Sequence, residues 1–223
     1  MTKRNEFSVT EEMKTYLNKV LEVNESINLT RVTDVQQAIL LHLEDSLAVY
    51  EEFCDSPHGL YADLGSGGGF PGVPLALASG RKTLLVDSVK KKMAAVNHIL
   101  EDMHLTDLIT TCDLRAEELA LEKPNEFSVI TARALTSLPS LMELASPLLK
   151  QGGILIALKS KEENEFSNSQ LENKLGLRKI KERSYFLSDQ ETYRVVYMFE
   201  KYKNPEVKLP RRPGMAQKRP YLK

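Results

Sequence analysis

The 223-residue chain has only two cysteines, Cys54 and Cys112, 58 positions apart, which excludes a disulfide scaffold. Both are expected to be small apolar core residues. Its four histidines are scattered. His58 follows Cys54 at a ligand spacing, but no second pair completes a zinc site and no HExxH is present, so no dedicated metal is expected. No apolar run approaches the roughly 20 residues of a membrane span. Residues 1–6 are polar where a secretory signal needs an apolar stretch, and a cytoplasmic protein is expected. The chain also lacks net charge, −1 overall, but the charge is unevenly placed. From Lys201 onward eight basic residues face one acidic residue, Glu206, an end of +7 on a body of −8. A basic end on an acidic body points to a polyanion contacting one side.

What is present reads as globular: 42% apolar and 27% charged residues, in a length that suits one α/β domain with an extension. In residues 8–25 the apolar positions Val9, Met13, Leu17, Val20 and Leu21 recur at three and four, predicting an amphipathic helix. Residues 34–53 predict a second, with Asp34 as its cap. Beyond these the period changes to short apolar runs alternating with helical stretches, the pattern of a parallel sheet with crossover helices. Strands are expected at 60–64, 82–87, 108–112, 127–132 and 153–159. Segments 177–186 and 193–202 suit an antiparallel hairpin at the sheet edge. The expected architecture is α/β, a Rossmann-like, mostly parallel seven-stranded sheet with an antiparallel edge. Its parts are an N-terminal helical cap at 1–57, a Rossmann-like domain at 58–203 and a basic arm at 204–223.

Residues 60–72 form a strand followed by a loop with Gly65, Gly67, Gly69 and Gly72, then a helix. Glycines there let the backbone turn tightly and approach a ligand. Such loops also serve NAD, FAD and nucleotide phosphates, so two acids discriminate. Asp63, two residues before Gly65, places a carboxylate at the ligand's edge, where it repels a pyrophosphate and suits a cation. S-adenosylmethionine, with a sulfonium, an ammonium and no phosphate, fits by direct or water-mediated contact. Asp87, 22 positions after Gly65, ends the next strand where a carboxylate accepts ribose hydroxyls. The absence of GK[ST] excludes a P-loop.

These residues belong to a longer series: Asn28-Leu29-Thr30, His42 with Asp45-Ser46-Leu47, the loop from Asp63 to Pro74, Val86-Asp87-Ser88 with Lys91-Lys92, Arg115-Ala116-Glu117-Glu118, Thr131-Ala132-Arg133-Ala134, and Arg212-Pro213-Gly214 with Lys218-Arg219-Pro220. In this order the series resembles the ribosomal RNA small subunit methyltransferase G (GidB) family over nearly the whole chain. The resemblance implies a class I methyltransferase that moves a methyl group from S-adenosylmethionine to N7 of a guanine in the 530 loop of 16S rRNA, naked or within the small ribosomal subunit. It also implies that Gly65 and Phe70 flank the cofactor, that Ala116 and Glu117 lie beside the adenine, and that Arg133 lines the cofactor site. The candidate cofactor residues are thus Asp63, Gly65, Gly67, Gly69, Phe70, Asp87, Ala116, Glu117 and Arg133.

Guanine N7 carries an in-plane lone pair and no proton, so no general base is needed and no catalytic residue is assigned. Rate enhancement then rests on orientation. The N7 edge of A-form RNA lies in a groove too deep and narrow for side chains, so the target must be in a loop or splayed out. Arg133 is open to three roles: cofactor carboxylate, RNA or ion pair. Arg211, Arg212, Lys218 and Arg219, among prolines 210, 213 and 220, form a stiff basic arm suited to phosphates. His42 is read as structural, oriented by Asp45. A monomer is the default. Two other enzyme readings stand beside this one, a small-molecule methyltransferase, which leaves the basic arm without purpose, and an NAD(P)-linked oxidoreductase, which lacks a hydride-transfer pair such as Tyr-x-x-x-Lys. A non-catalytic RNA-binding module would not need the loop.

Overall fold

A computed structural model describes residues 8–160 and 169–221. Residues 1–6, most of the polar stretch after Lys159, and Lys223 therefore lie outside the described residues. The first helix, α1 (Glu11–Asn24), starts where Thr10 Oγ1 accepts the Met13 N–H at 3.3 Å, with Glu11 and Glu12 in the positive first turn. It buries Met13, Tyr16, Leu17 and Val20. The helix expected at 34–53 is instead broken. Asp34 caps α2 (Val35–Ala38), which runs into a π-helical segment (Ile39–Glu44) and then α3 (Asp45–Leu47); the chain bends at Val49 before α4 (Tyr50–Cys54).

The body alternates strand and helix: β1 (Tyr61–Leu64), α5 (Gly72–Ser79), β2 (Thr83–Val86), α6 (Lys90–Asp102), β3 (Ile109–Cys112), α7 (Ala116–Glu122), β4 (Phe127–Arg133), α8 (Leu138–Ala145) and β5 (Leu149–Lys159). Then follow α9 (Ser169–Leu175), β6 (Leu177–Phe186), β7 (Tyr193–Lys201) and the short α10 (Met215–Lys218). The sheet order is β3-β2-β1-β4-β5-β7-β6. The first five strands are parallel and β7 pairs antiparallel with both β5 and β6, as expected from the sequence.

Strand alternation sorts the core. Ala62, Leu64, Ile130 and Ala132 face one layer, closed by α7, α8 and α9 residues such as Leu119, Leu141 and Leu171. Tyr61, Val129 and Ile156 face the other, against Val49, Phe53 and Leu75. There α1 and the π segment share an apolar cluster with α5 and α6, joining Tyr16, Leu17, Leu43, Phe70, Val73 and Val96. Neither cysteine is in the core: Cys54 is exposed and Cys112 only half-buried, because each ends its element at the sheet's rim. Among the described residues no group of three or more metal-ligating side chains gathers, and no helix is long and apolar enough to cross a membrane.

Candidate active site at the carboxyl edge of the sheet

The loop after β1 is held from below. Gly65 N and Ser66 N both donate to Val86 O (2.8 and 3.1 Å), and Gly67 N donates to Asp87 Oδ2 at 3.1 Å. Gly65 takes a positive φ of 71°, and a Cβ there would meet Leu135 Cδ1 at 2.6 Å. Gly69, at φ 88°, gives way to Tyr16, whose hydroxyl donates to Gly68 O at 3.0 Å. The helical cap thus bolts directly onto the glycine loop.

Two connected clefts open above it. A narrow one of about 70 Å³ is lined by Asp87, Ala116, Glu117 and Gln217, a wider one of about 660 Å³ by Thr30, His42, Ser66, Phe70, Arg133 and Arg194, and Gly65 and Leu135 border both. A larger groove of about 1160 Å³ lies outside, between α1 and the 25–35 segment. It touches the wide cleft through Leu29, Thr30 and Arg31 but holds neither the glycine loop nor Asp87, so it is not the cofactor pocket.

Both Asp87 oxygens already hold backbone, Oδ2 on Gly67 N and Oδ1 on Val89 N at 2.9 Å. A carboxylate has about four acceptor sites, so two remain for vicinal hydroxyls. Ser66 Oγ is buried and has no hydrogen-bond partner among the described residues, a polar atom left for a ligand in the wall of the wide cleft. A nucleoside with a polar tail fits this set.

Asp63 departs from expectation. It is 0% exposed and lines neither cleft. Its Oδ2 accepts Gly72 N–H at 3.0 Å and its Oδ1 the Thr131 hydroxyl at 2.6 Å, with Tyr61 Oη 2.6 Å beyond. Burial outweighs these bonds and pushes its pKa up to about 7. The expected edge-on contact with a cation is therefore corrected: this carboxylate is turned back under the loop, where it fixes the Gly72 backbone. Gly69 likewise faces Tyr16 and is absent from the cleft walls. Gly65, Gly67, Phe70 and Arg133 do line the wide cleft.

Arg133 ends β4 and reaches the cap, donating to Leu41 O at 2.6 Å and Asp45 Oδ2 at 2.9 Å. Arg194 meets the same carboxylate at 3.0 and 3.1 Å. Asp45 is 1% exposed, so two guanidiniums share one buried anion and leave the cleft wall net positive. His42 stacks on Phe70, ring centroids 4.6 Å apart and 11° between planes, with Nε2 2.7 Å from Thr30 Oγ1. Burial first, then the Arg133 charge, lowers its pKa to about 4. His42 is thus a cleft residue, and Asp45 orients Arg133 and Arg194 rather than the imidazole.

The family model of rRNA small subunit methyltransferase G (GidB) matches residues 9–193. The chain is 34% identical over 215 residues to the protein of that name from Lysinibacillus sphaericus, covering 94% of this chain and 90% of that one. It is 33% identical over 216 residues to its Staphylococcus aureus counterpart, covering 95% and 90%. This chain belongs to that family. It is an S-adenosylmethionine-dependent enzyme that methylates small-subunit ribosomal RNA. Solved structures agree on the fold, the class I methyltransferase fold. The [4+2]-cyclase SpnF superposes with a TM-score of 0.58 at 13% identity, covering 87% of this chain and 94% of its own. An O-methyltransferase from Bacillus cereus in complex with SAH gives 0.55 at 18%, covering 83% and 90%.

In this member of the methyltransferase G family the basic end is folded onto the body. Arg211 makes a two-pronged pair with Glu143 (both 2.5 Å) and lies 4.2 Å over the Tyr221 ring. That corrects its expected place among phosphate contacts, since its Nε and Nη2 are engaged by a buried carboxylate. Gly214 N donates to Glu117 Oε1 at 2.7 Å, and Ser140 Oγ to Ala216 O at 2.8 Å, closing the arm beside the narrow cleft. Glu117, which borders that cleft, therefore also ties down the arm. Arg212, Lys218 and Arg219 remain exposed. Lys201 is buried, its ammonium on Asn125 Oδ1, Ser146 O and Leu149 O (2.6, 2.7 and 2.8 Å), and burial lowers its pKa to about 8. Sequence reasoning gave no role to Tyr16, Thr30, Ser66 or Arg194. The Asn28-Leu29-Thr30 series points toward Thr30 and the Asp63 to Pro74 loop contains Ser66, but nothing in the sequence marks Tyr16 or Arg194.

Proposed function

We infer that this enzyme transfers the methyl group to N7 of a guanine in the 530 loop of 16S rRNA. The observation that carries the reading is a net-positive cleft in whose wall, among the described residues, no carboxylate or imidazole is free to act as a base. Asp45 is spent on Arg133 and Arg194, Asp63 lies beneath the loop, and His42 is held between Phe70 and Thr30. A hydroxyl or amide acceptor would need a base to take its proton, whereas N7 has none to lose. Bound S-adenosylmethionine supplies an electrophilic methyl on sulfur, and its transfer breaks the S–C bond, forms N7–C and moves the positive charge to the base. The chain's part is to hold: Asp87 takes ribose hydroxyls, Ala116 and Glu117 border the adenine, Gly65, Gly67 and Phe70 flank the methionyl part, and Ser66 offers its hydroxyl. Arg133, fixed by Asp45, lines the cofactor side of the cleft.

Arg212, Lys218 and Arg219 contact phosphates, supported by their exposure on the arm whose Gln217 lines the narrow cleft. The cap at 1–57 and the arm at 204–223 serve as the two RNA-facing flanks of the body at 58–203, and the enzyme works as a cytoplasmic monomer. Two alternatives lose ground: a small-molecule acceptor leaves the cationic flank unused, and hydride transfer to a nicotinamide has no donor pair. The test is transfer of labelled methyl to small-subunit RNA lacking the modification, naked and as 30S particles, with nucleoside mass spectrometry. A single 7-methylguanosine in the 530 loop is expected. Unlabelled RNA in the presence of bound cofactor overturns the reading.

A further inference from the structure

Thr30 lies on the outer wall of the wide cleft, where it meets the groove beside α1, and does not line the narrow cleft. Its backbone N–H is fixed on Asn24 Oδ1 at 2.8 Å. Its Oγ1 accepts Val32 N–H at 3.1 Å and sits 2.7 Å from His42 Nε2. Arg133 sets the direction of that second bond. A guanidinium only donates, and Arg133 Nη2 approaches His42 Nδ1 at 3.4 Å while Arg133 Nη1 already occupies the neighbouring Leu41 carbonyl at 2.6 Å, so the Arg133 contact favours the lone pair on Nδ1 over a bond from the imidazole to Leu41 O. The buried imidazole is neutral at neutral pH, and its one proton is therefore on Nε2, donated to Thr30. Both lone pairs of Oγ1 are then filled. Its own proton is left over, and no described residue accepts it.

Threonine ordinarily serves a base edge as donor or acceptor. Here the role is fixed as donor. The guanine edge that bears N7 presents two acceptors, N7 and O6, where adenine has an amino donor in place of O6. N7 must stay bare to take the methyl, so O6 is the acceptor left. We propose that Thr30 donates its hydroxyl hydrogen bond to O6 of the target base and, locked as a donor by His42 and Arg133, selects guanine against purines with a 6-amino group. The proposal rests on the guanine-N7 reading above and names a specificity residue for it.

The test uses small-subunit RNA carrying either guanine or 2,6-diaminopurine at the target position; the second keeps N7 but replaces O6 with an amino group. Wild type is expected to prefer guanine in kcat/KM. Thr30→Val is expected to shrink that preference about tenfold, the size of one hydrogen bond, and Thr30→Ser to restore it. His42→Phe keeps a ring against Phe70 but frees a lone pair on Thr30, so it too narrows the preference, and it carries the test should Thr30→Val fail to fold. A ratio unchanged in both Thr30→Val and His42→Phe overturns the proposal. So does a ratio unchanged in Thr30→Val alongside weakened binding of S-adenosylhomocysteine in calorimetry, which assigns the hydroxyl to the cofactor. No 7-methylguanosine from wild type sinks the underlying function, a failure read in the unmutated enzyme and so distinct from the other two.

Discussion

Asp63 and His42 are buried ionisable groups on the cap side of the sheet whose protonation works against each other. Asp63 has its pKa raised to about 7, so its share of stability is complete below an ordinary carboxyl pKa and is lost as pH rises through 7. His42 has its pKa lowered to about 4, so its share is complete above 6.5 and is lost as pH falls toward 4. Each displacement amounts to a few kcal/mol, at roughly 1.4 kcal/mol for each tenfold change in proton affinity. Across pH 4–7 the two largely cancel. Single variants should expose them. In Asp63→Asn the amide oxygen can accept Gly72 N–H while its NH₂ donates to Thr131. Urea unfolding of that variant should gain stability relative to wild type between pH 5 and 8, by a few kcal/mol at most; identical pH dependence would mean that Asp63 is charged throughout. At this scale the sequence was half legible. The glycines and Asp87 were read from spacing alone. Asp63 is beside the loop in sequence, but the period of two puts it on the face of Tyr61, away from both clefts.

The helix expected at residues 34–53 shows where element-level reading stops. Ile39, Leu43, Leu47 and Tyr50 are spaced for one continuous helix, and local propensity offers no reason to break it. The interruption is tertiary. The Asp45 N–H reaches back to Leu40 O, five residues, inserting one extra residue into the turn. His42 then meets Phe70 while Asp45 meets Arg133 and Arg194. Those partners come from the glycine loop, β4 and β7, which no local window connects. The hairpin is tied to the cap a second time, through Arg183 on buried Glu52 at 2.7 Å. Asp45→Asn leaves two guanidiniums, 16% and 17% exposed, without their anion. The expected cost is about 3 kcal/mol in unfolding free energy. Faster hydrogen exchange should be confined to the π segment, α3 and the start of β7. A uniform rise in exchange across the sheet would show instead that the carboxylate supports the whole fold and not this joint.

At the scale of the molecule, sequence order alone overstates the basic charge free to meet a polyanion. Eight basic residues follow residue 200, but a charge count does not see which of them the fold uses. Lys201 is buried on three oxygens, Lys203 pairs with Glu206 at 2.6 Å, and Arg211 is held by Glu143. The basic charge that remains exposed among the described arm residues is Lys208, Arg212, Lys218 and Arg219, the last three on a segment that Glu117 and Ser140 pin in place. A pinned arm has less entropy to lose on binding than a free one, and its charges stay aligned with the cleft. Removing them together, as Arg212→Ala, Lys218→Ala and Arg219→Ala, should weaken RNA binding with little dependence on sequence. The slope of log affinity against log salt should fall by about 2, near 0.7 for each phosphate contact with single strands. Arg211→Ala should behave differently. It strands Glu143, which is 3% exposed, and should lower the unfolding free energy while moving the salt slope little. Equal salt slopes for the triple variant and wild type would place the RNA backbone elsewhere, on the Arg31 and Arg194 side of the wide cleft, and leave the arm as a clamp on α7 and α8 alone.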